Sequence, residues 1–102
     1  MIVVRFKVQC RSDKTAEFAA AMRSVVDAAR TLPGVIQFDI ARDLTNEDAL
    51  IATEVFEDRA AMEREEALPE VAKVIELMQA GALAGAPEWT IFEVASSESP
   101  TM

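Results

Sequence analysis

Glu54-Val55-Phe56-Glu57-Asp58-Arg59-Ala60-Ala61-Met62 runs the end of a strand straight into the start of a helix. β-Branched and aromatic residues lead up to Phe56, as in a strand. Asp58 then offers the short acceptor side chain of a helix N-cap. Extended backward, the strand covers Ala49 to Glu57. Leu50, Ala52, Glu54 and Phe56 fall on one face, and Ile51 and Val55 on the other. Extended forward, a helical region reaches about Ala80 but is interrupted at Pro69, which lacks an N–H and clashes with the preceding turn. One short helix before Pro69 and another after it, striped by Val71, Val74, Ile75 and Met78, are expected.

The rest of the chain fits around this junction. Ile2, Val4, Phe6, Val8 and Cys10 alternate with Val3, Arg5, Lys7 and Gln9, which predicts a first strand. Ser12 and Asp13 are the expected caps of a helix with Phe18, Met22, Val25, Val26, Ala29 and Leu32 on its apolar face. Leu32-Pro33-Gly34 ends that helix and turns the chain. Val35 to Arg42 predicts a second strand with Ile36, Phe38 and Ile40 on one face. The polar run Asp43 to Asp48 then turns it into the strand that begins at Ala49. Gly81 to Pro87 is a loop of small residues before a last strand, Glu88 to Val94, in which Trp89 and Ile91 alternate with Thr90 and Phe92. Residues 1–95 are expected to form one domain and 96–102 a flexible C-terminal tail.

The order β-α-β-β-α-β predicts an α+β, ferredoxin-like fold: a four-stranded antiparallel sheet with the helices on one face. An antiparallel sheet with one wet face alternates cleanly, whereas the third strand is apolar on both sides. A second copy packed on the open face, related by a two-fold axis, would explain this.

Composition narrows the function. A chain of 102 residues is the size of one domain. The net charge of -8 argues against nucleic acid and anionic membranes, which need a surplus of Lys and Arg. No apolar run reaches the ~20 residues of a membrane span, and Arg5 breaks the first apolar run where a signal peptide would continue. Cys10 is the sole cysteine, as suits a reducing cytoplasm. With no histidine, Cys10 lacks the usual base of a catalytic thiol and no His-based metal site forms. Glu66 and Glu70 offer at most a weak Mg²⁺ or Ca²⁺ pair, and no functional metal is expected.

The chain resembles the antibiotic biosynthesis monooxygenase (ABM) family of dimeric α/β barrel proteins. The likeness rests on Val3-Val4-Arg5-Phe6-Lys7-Val8, Glu17-Phe18, Leu32-Pro33-Gly34-Val35, Arg42-Asp43 and the stretch from Glu54 to Met62, over nearly all of residues 1–95. It implies a cytoplasmic homodimer with one pocket per subunit. By the resemblance, the activity would be a cofactor-independent monooxygenation of quinol- or anthrone-like aromatics. Haem-degrading relatives ligate iron through histidine, which this chain lacks. Relatives often carry tryptophan where Phe56 stands, asparagine at the position matching Ala52, and histidines where Glu65 and Glu70 stand. The alternative is a non-catalytic, dimeric ligand-binding module that has lost the family's catalytic residues.

The residues suggest the site. Glu54, on the Ala52–Phe56 face, would act as general base if buried, since desolvation raises a carboxyl's pKa. The plainer alternative is a cross-strand or intersubunit salt bridge with an arginine such as Arg5 or Arg42. Arg5 would hold a phenolate or carboxylate, or else face solvent or a dimer edge. Glu65 is either a pocket carboxylate or part of a solvated acidic face with Glu63 and Glu66. Phe38, Phe56, Met62 and Trp89 are the expected apolar walls, with Phe92 and Met78 as further candidates.

Overall fold

The computed structural model describes residues 1–101. Strand β1 (Ile2–Gln9) is followed by helix α1 (Thr15–Ala29), strands β2 (Val35–Asp43) and β3 (Asn46–Phe56), helices α2 (Arg59–Glu66) and α3 (Pro69–Gln79), and strand β4 (Glu88–Glu93). The strands lie in the order β2-β3-β1-β4 and every pairing is antiparallel, so the α+β ferredoxin-like expectation holds.

The register decides which residues share a face, because directly paired residues point the same way. Val4 pairs with Glu54 and Ile91, Phe6 with Ala52 and Trp89, and Phe38 with Glu54. These residues face the helices. On the open face, Arg5 pairs with Thr53 and Thr90, and Val3 with Val55 and Phe92. The core lies between sheet and helices: Ile2, Val4 and Val8 of β1, Leu50 and Phe56 of β3, and Phe18, Met22, Val25 and Ala29 of α1 are all buried. Burying each of the larger side chains stabilises by roughly 1.5–3 kcal/mol.

The junction that organised the sequence is built as expected. The Asp58 carboxylate accepts from the Ala61 N–H at 2.9 Å and caps α2. Pro69 opens α3 in the first turn, where its missing N–H has no intrahelical partner to lose. Gly34 has φ +83, and a Cβ there would stand 2.7 Å from the Ala61 Cβ, so glycine is required both by conformation and by the approach of α2.

Three local expectations need correction. Neither Ser12 nor Asp13 caps α1; Lys14 occupies the cap position without a side-chain bond. The Thr15 hydroxyl instead spans the Arg11 carbonyl at 3.1 Å and the Asp48 carboxylate at 2.7 Å, tying the helix start to β3. Ile36 does not share a face with Phe38 and Ile40. An irregularity between Val35 and Gln37 shifts the alternation, so Val35 pairs with Phe56 and Ile36 is left 56% exposed. The hairpin turn is also shorter than the polar run implies, because Asn46, Glu47 and Asp48 already belong to β3.

The open face is partly apolar. Val3, Ile51 and Val55 are half-buried there and Phe92 is 47% exposed. No helix among the described residues is long and apolar enough to cross a membrane. Beyond Val94, whose N–H bonds the Met1 carbonyl, residues 95–101 form no helix or strand.

Candidate functional site

A cavity of about 280 Å³ lies between the helix-facing side of the sheet and the three helices. β1 contributes Val4 and Phe6, and β2 contributes Phe38 and Ile40. α1 turns Met22 and Val25 toward it, residues of the three- and four-step apolar stripe. α3 supplies Val71, Val74, Ile75 and Met78 from its own stripe. Trp89, 60% exposed on edge strand β4, and the preceding Pro87 stand at the rim, where the cavity meets solvent beside Ile75. The Trp89 ring meets Phe6 edge-on, centroids 6.0 Å apart.

Three carboxylates are the only ionisable groups in this lining: Glu54 from β3, and Glu65 and Glu66 from α2. Glu54 is 9% exposed and Glu65 only 5%. They reach each other because β3 feeds α2 through a single turn, which brings α2 back over the strand it left. The two side chains share a hydrogen bond. Among the described residues no ion pair reaches either: Lys7 pairs with Asp43, Arg30 with Asp39, Arg59 with Glu93 and Arg11 with Asp13.

Burial pushes the Glu54 carboxyl up to about 8, aided by the Glu65 charge, the hydrogen bond to Glu65 and the Glu66 charge. Burial also raises Glu65, to about 7, with the Glu66 charge adding to the rise, while the bond from Glu54 offsets part of it. A hydrogen bond between two carboxyls needs a proton on one of them, so the pair holds a proton between Glu54 and Glu65. The two titrate as a unit, one proton shared between two acids that cannot both ionise cheaply.

The residues singled out from sequence separate into groups. Glu54, Glu65, Phe38, Trp89 and Met78 all line the cavity. Phe56 and Met62 do not; both are buried core, and Phe56 supports the wall from behind, edge-on to Phe38 with centroids 6.5 Å apart. Arg5 is the main correction. It pairs with Thr53, one residue out of step with Glu54, and so is exposed on the opposite face of the sheet. Phe92 lies on that face too. Among the described residues no cation pairs with Glu54, so the cross-strand salt bridge is not formed, and Glu65 is buried rather than part of a solvated acidic face. No group of three or more metal-ligating side chains exists among the described residues. Burial raises the pKa of the Cys10 thiol, the opposite of what a nucleophile needs.

Sequence reasoning missed Val4, Phe6, Met22, Val25, Ile40 and the cavity position of Glu66. The first two were on the same alternating face as Ile2 and Val8, but assigning that face to Glu54 required the β1–β3 register.

A four-stranded antiparallel sheet with helices on one face defines a ferredoxin-like α+β protein, with a cavity and a carboxyl pair between the two layers. Residues 1–77 match the family described as antibiotic biosynthesis monooxygenase, and the chain belongs to that family. A Deinococcus radiodurans structure classed with the antibiotic biosynthesis monooxygenases superposes with a TM-score of 0.87 at 18% identity, covering 100% of both chains. A structure of the same class from Nitrosomonas europaea gives 0.85 at 19% identity over 94% of this chain and 100% of its own. The Mycobacterium tuberculosis protein Rv0793 gives 0.85 at 15% identity over 96% and 98%. At such identities these likenesses establish the fold. An uncharacterized Synechocystis protein is 31% identical over 62 residues, 61% of this chain and 42% of that relative's length.

Proposed function

We propose that this chain is a cofactor-independent monooxygenase of small aromatic quinol- or anthrone-like substrates. The observation that carries the reading is the buried Glu54–Glu65 pair in a cavity whose other lining, Glu66 apart, is apolar. Such a substrate reacts with O₂ only after losing a proton, and a base is most useful when its pKa lies near the working pH. Between about pH 7 and 8 the pair carries one proton and one negative charge. Taking the substrate's proton leaves both acids neutral and moves the charge onto the substrate, so no extra charge is buried. The substrate anion then supplies the electrons to O₂. For an anthrone, the CH₂ becomes C=O with one oxygen atom and the other leaves as water. Phe6, Phe38 and Trp89 orient the ring, and the apolar walls keep water from the intermediate.

Family membership and the half-apolar open face, with Val3, Val55 and Phe92, support a homodimer closed across that face. The free, buried Cys10 suits a reducing cytoplasm. The test is oxygen uptake with quinol and anthrone panels, comparing wild type with Glu54→Gln. The expected result is uptake that falls by about 10²-fold or more in the variant; no uptake above the uncatalysed rate with any substrate overturns the proposal.

One observation favours a non-catalytic ligand-binding module instead. Phe56, where relatives often carry tryptophan, is fully buried and does not reach the cavity. On that reading, ligands raise the melting temperature without turnover.

A further inference from the structure

Glu54 and Glu65 are nine-tenths buried or more, and no N–H or cation of the described chain donates to either carboxyl. An ionised carboxylate in that position is normally paired. Here the only partner of each is another acid. Among the described residues the cavity lining offers no positive charge: Val4 of β1, Met22 of α1, Phe38 of β2 and Val71 of α3 are all apolar. The one further ionisable group, Glu66, adds negative charge. The missing counter-charge must come from a proton or from a ligand. A hard divalent ion is poorly served, because it takes six or more oxygens and the walls offer none. Phe6 and Trp89 line the same cavity, and aromatic faces attract organic cations.

We propose that the cavity selects ligands bearing a basic nitrogen on an aromatic ring system, seating the ammonium against Glu54 and Glu65 and excluding carboxylates. This rests on the reading of the cavity as the ligand site, and not on oxygen chemistry. Binding displaces the shared proton: the ammonium replaces it as partner of the two carboxylates, and one proton leaves to solvent.

A matched set of probes tests it: naphthylmethylamine, naphthalenemethanol and naphthoate, titrated calorimetrically into the full chain at pH 7 in buffers of different ionisation enthalpy. The amine is expected to bind about tenfold or more tighter than the alcohol, with naphthoate weakest, and to release up to one proton. In Glu54→Gln/Glu65→Gln the preference is expected to collapse to about threefold or less. Should that variant not fold, wild type at pH 5 serves, since both acids are then protonated and the preference must shrink. Naphthoate binding as tightly as the amine, an undiminished preference in the variant or at pH 5, or no binding by any probe overturns the proposal. Amine selectivity without oxygen uptake from any quinol sinks only the oxygenase reading; quinol turnover without amine selectivity sinks only this one.

Discussion

Replacing Glu54 by glutamine should make the protein more stable at alkaline pH. The folded chain binds the Glu54 proton up to about 8, whereas the unfolded chain releases it near 4.5. Between those values the folded state carries more protons than the unfolded one, so stability must fall as pH rises. Below 4.5 both states are protonated and the contribution is intact; above about 8 both are ionised and the full loss has been taken. Each tenfold difference in proton affinity is worth about 1.4 kcal/mol. The displacement from 4.5 to about 8 therefore corresponds to a loss on the order of 4–5 kcal/mol, a large part of a typical domain's stability. Glutamine keeps the shape and an N–H donor toward Glu65 but cannot ionise. It also removes the charge that Glu65 would otherwise face. Near pH 5 the variant should match wild type within about 1 kcal/mol, since one neutral donor replaces another. By pH 9 it should be more stable by roughly 2–4 kcal/mol, allowing for relaxation around the ionised pair. Urea unfolding followed by far-ultraviolet circular dichroism, at fixed protein concentration from pH 5 to pH 9, measures both slopes. A wild-type curve that is flat or rises over this range, or a Glu54→Gln curve parallel to it, refutes the reasoning.

Gly34→Ala combines a positive φ with a Cβ placed 2.7 Å from Ala61, and should cost roughly 1–3 kcal/mol in urea unfolding. Asp58→Ala removes the cap bond to the Ala61 N–H and should cost about 0.5–2 kcal/mol, read as a lower melting temperature; an unchanged melt would show that the cap is replaced by solvent. Phe92→Asp puts a charge on the open face and is expected to turn the proposed homodimer into a monomer in light scattering while leaving the circular dichroism spectrum intact. A monomeric wild type would remove the basis for that expectation.

Much of the fold was legible because local rules sufficed for it. The Glu54–Met62 junction, the Pro69 break, the Gly34 turn and the alternations of β1 and β3 each depend on neighbours within a few residues, and each survived. The failures were also local in origin. Ile36 was misplaced by assuming strict alternation across an irregularity, and neither Ser12 nor Asp13 caps α1, whose start is held instead by the Thr15 hydroxyl on Asp48. The site was half legible. Glu54 and its face could be assigned from β3 alone, but the choice between salt bridge and buried acid depended on what stood opposite.

The order of elements, the face that carries Glu54, and the absence of histidine chemistry were properties of the sequence by itself, because periodicity, turn chemistry and composition act along the chain. Register and packing decided the rest. A one-residue step in the β1–β3 pairing sends Arg5 to the far face and brings Val4 beside Glu54. The return of α2 over β3 seats Glu65 against Glu54 away from water and cations, and desolvation does the remainder. Sequence supplied two glutamates eleven positions apart; only the tertiary structure made them share a proton.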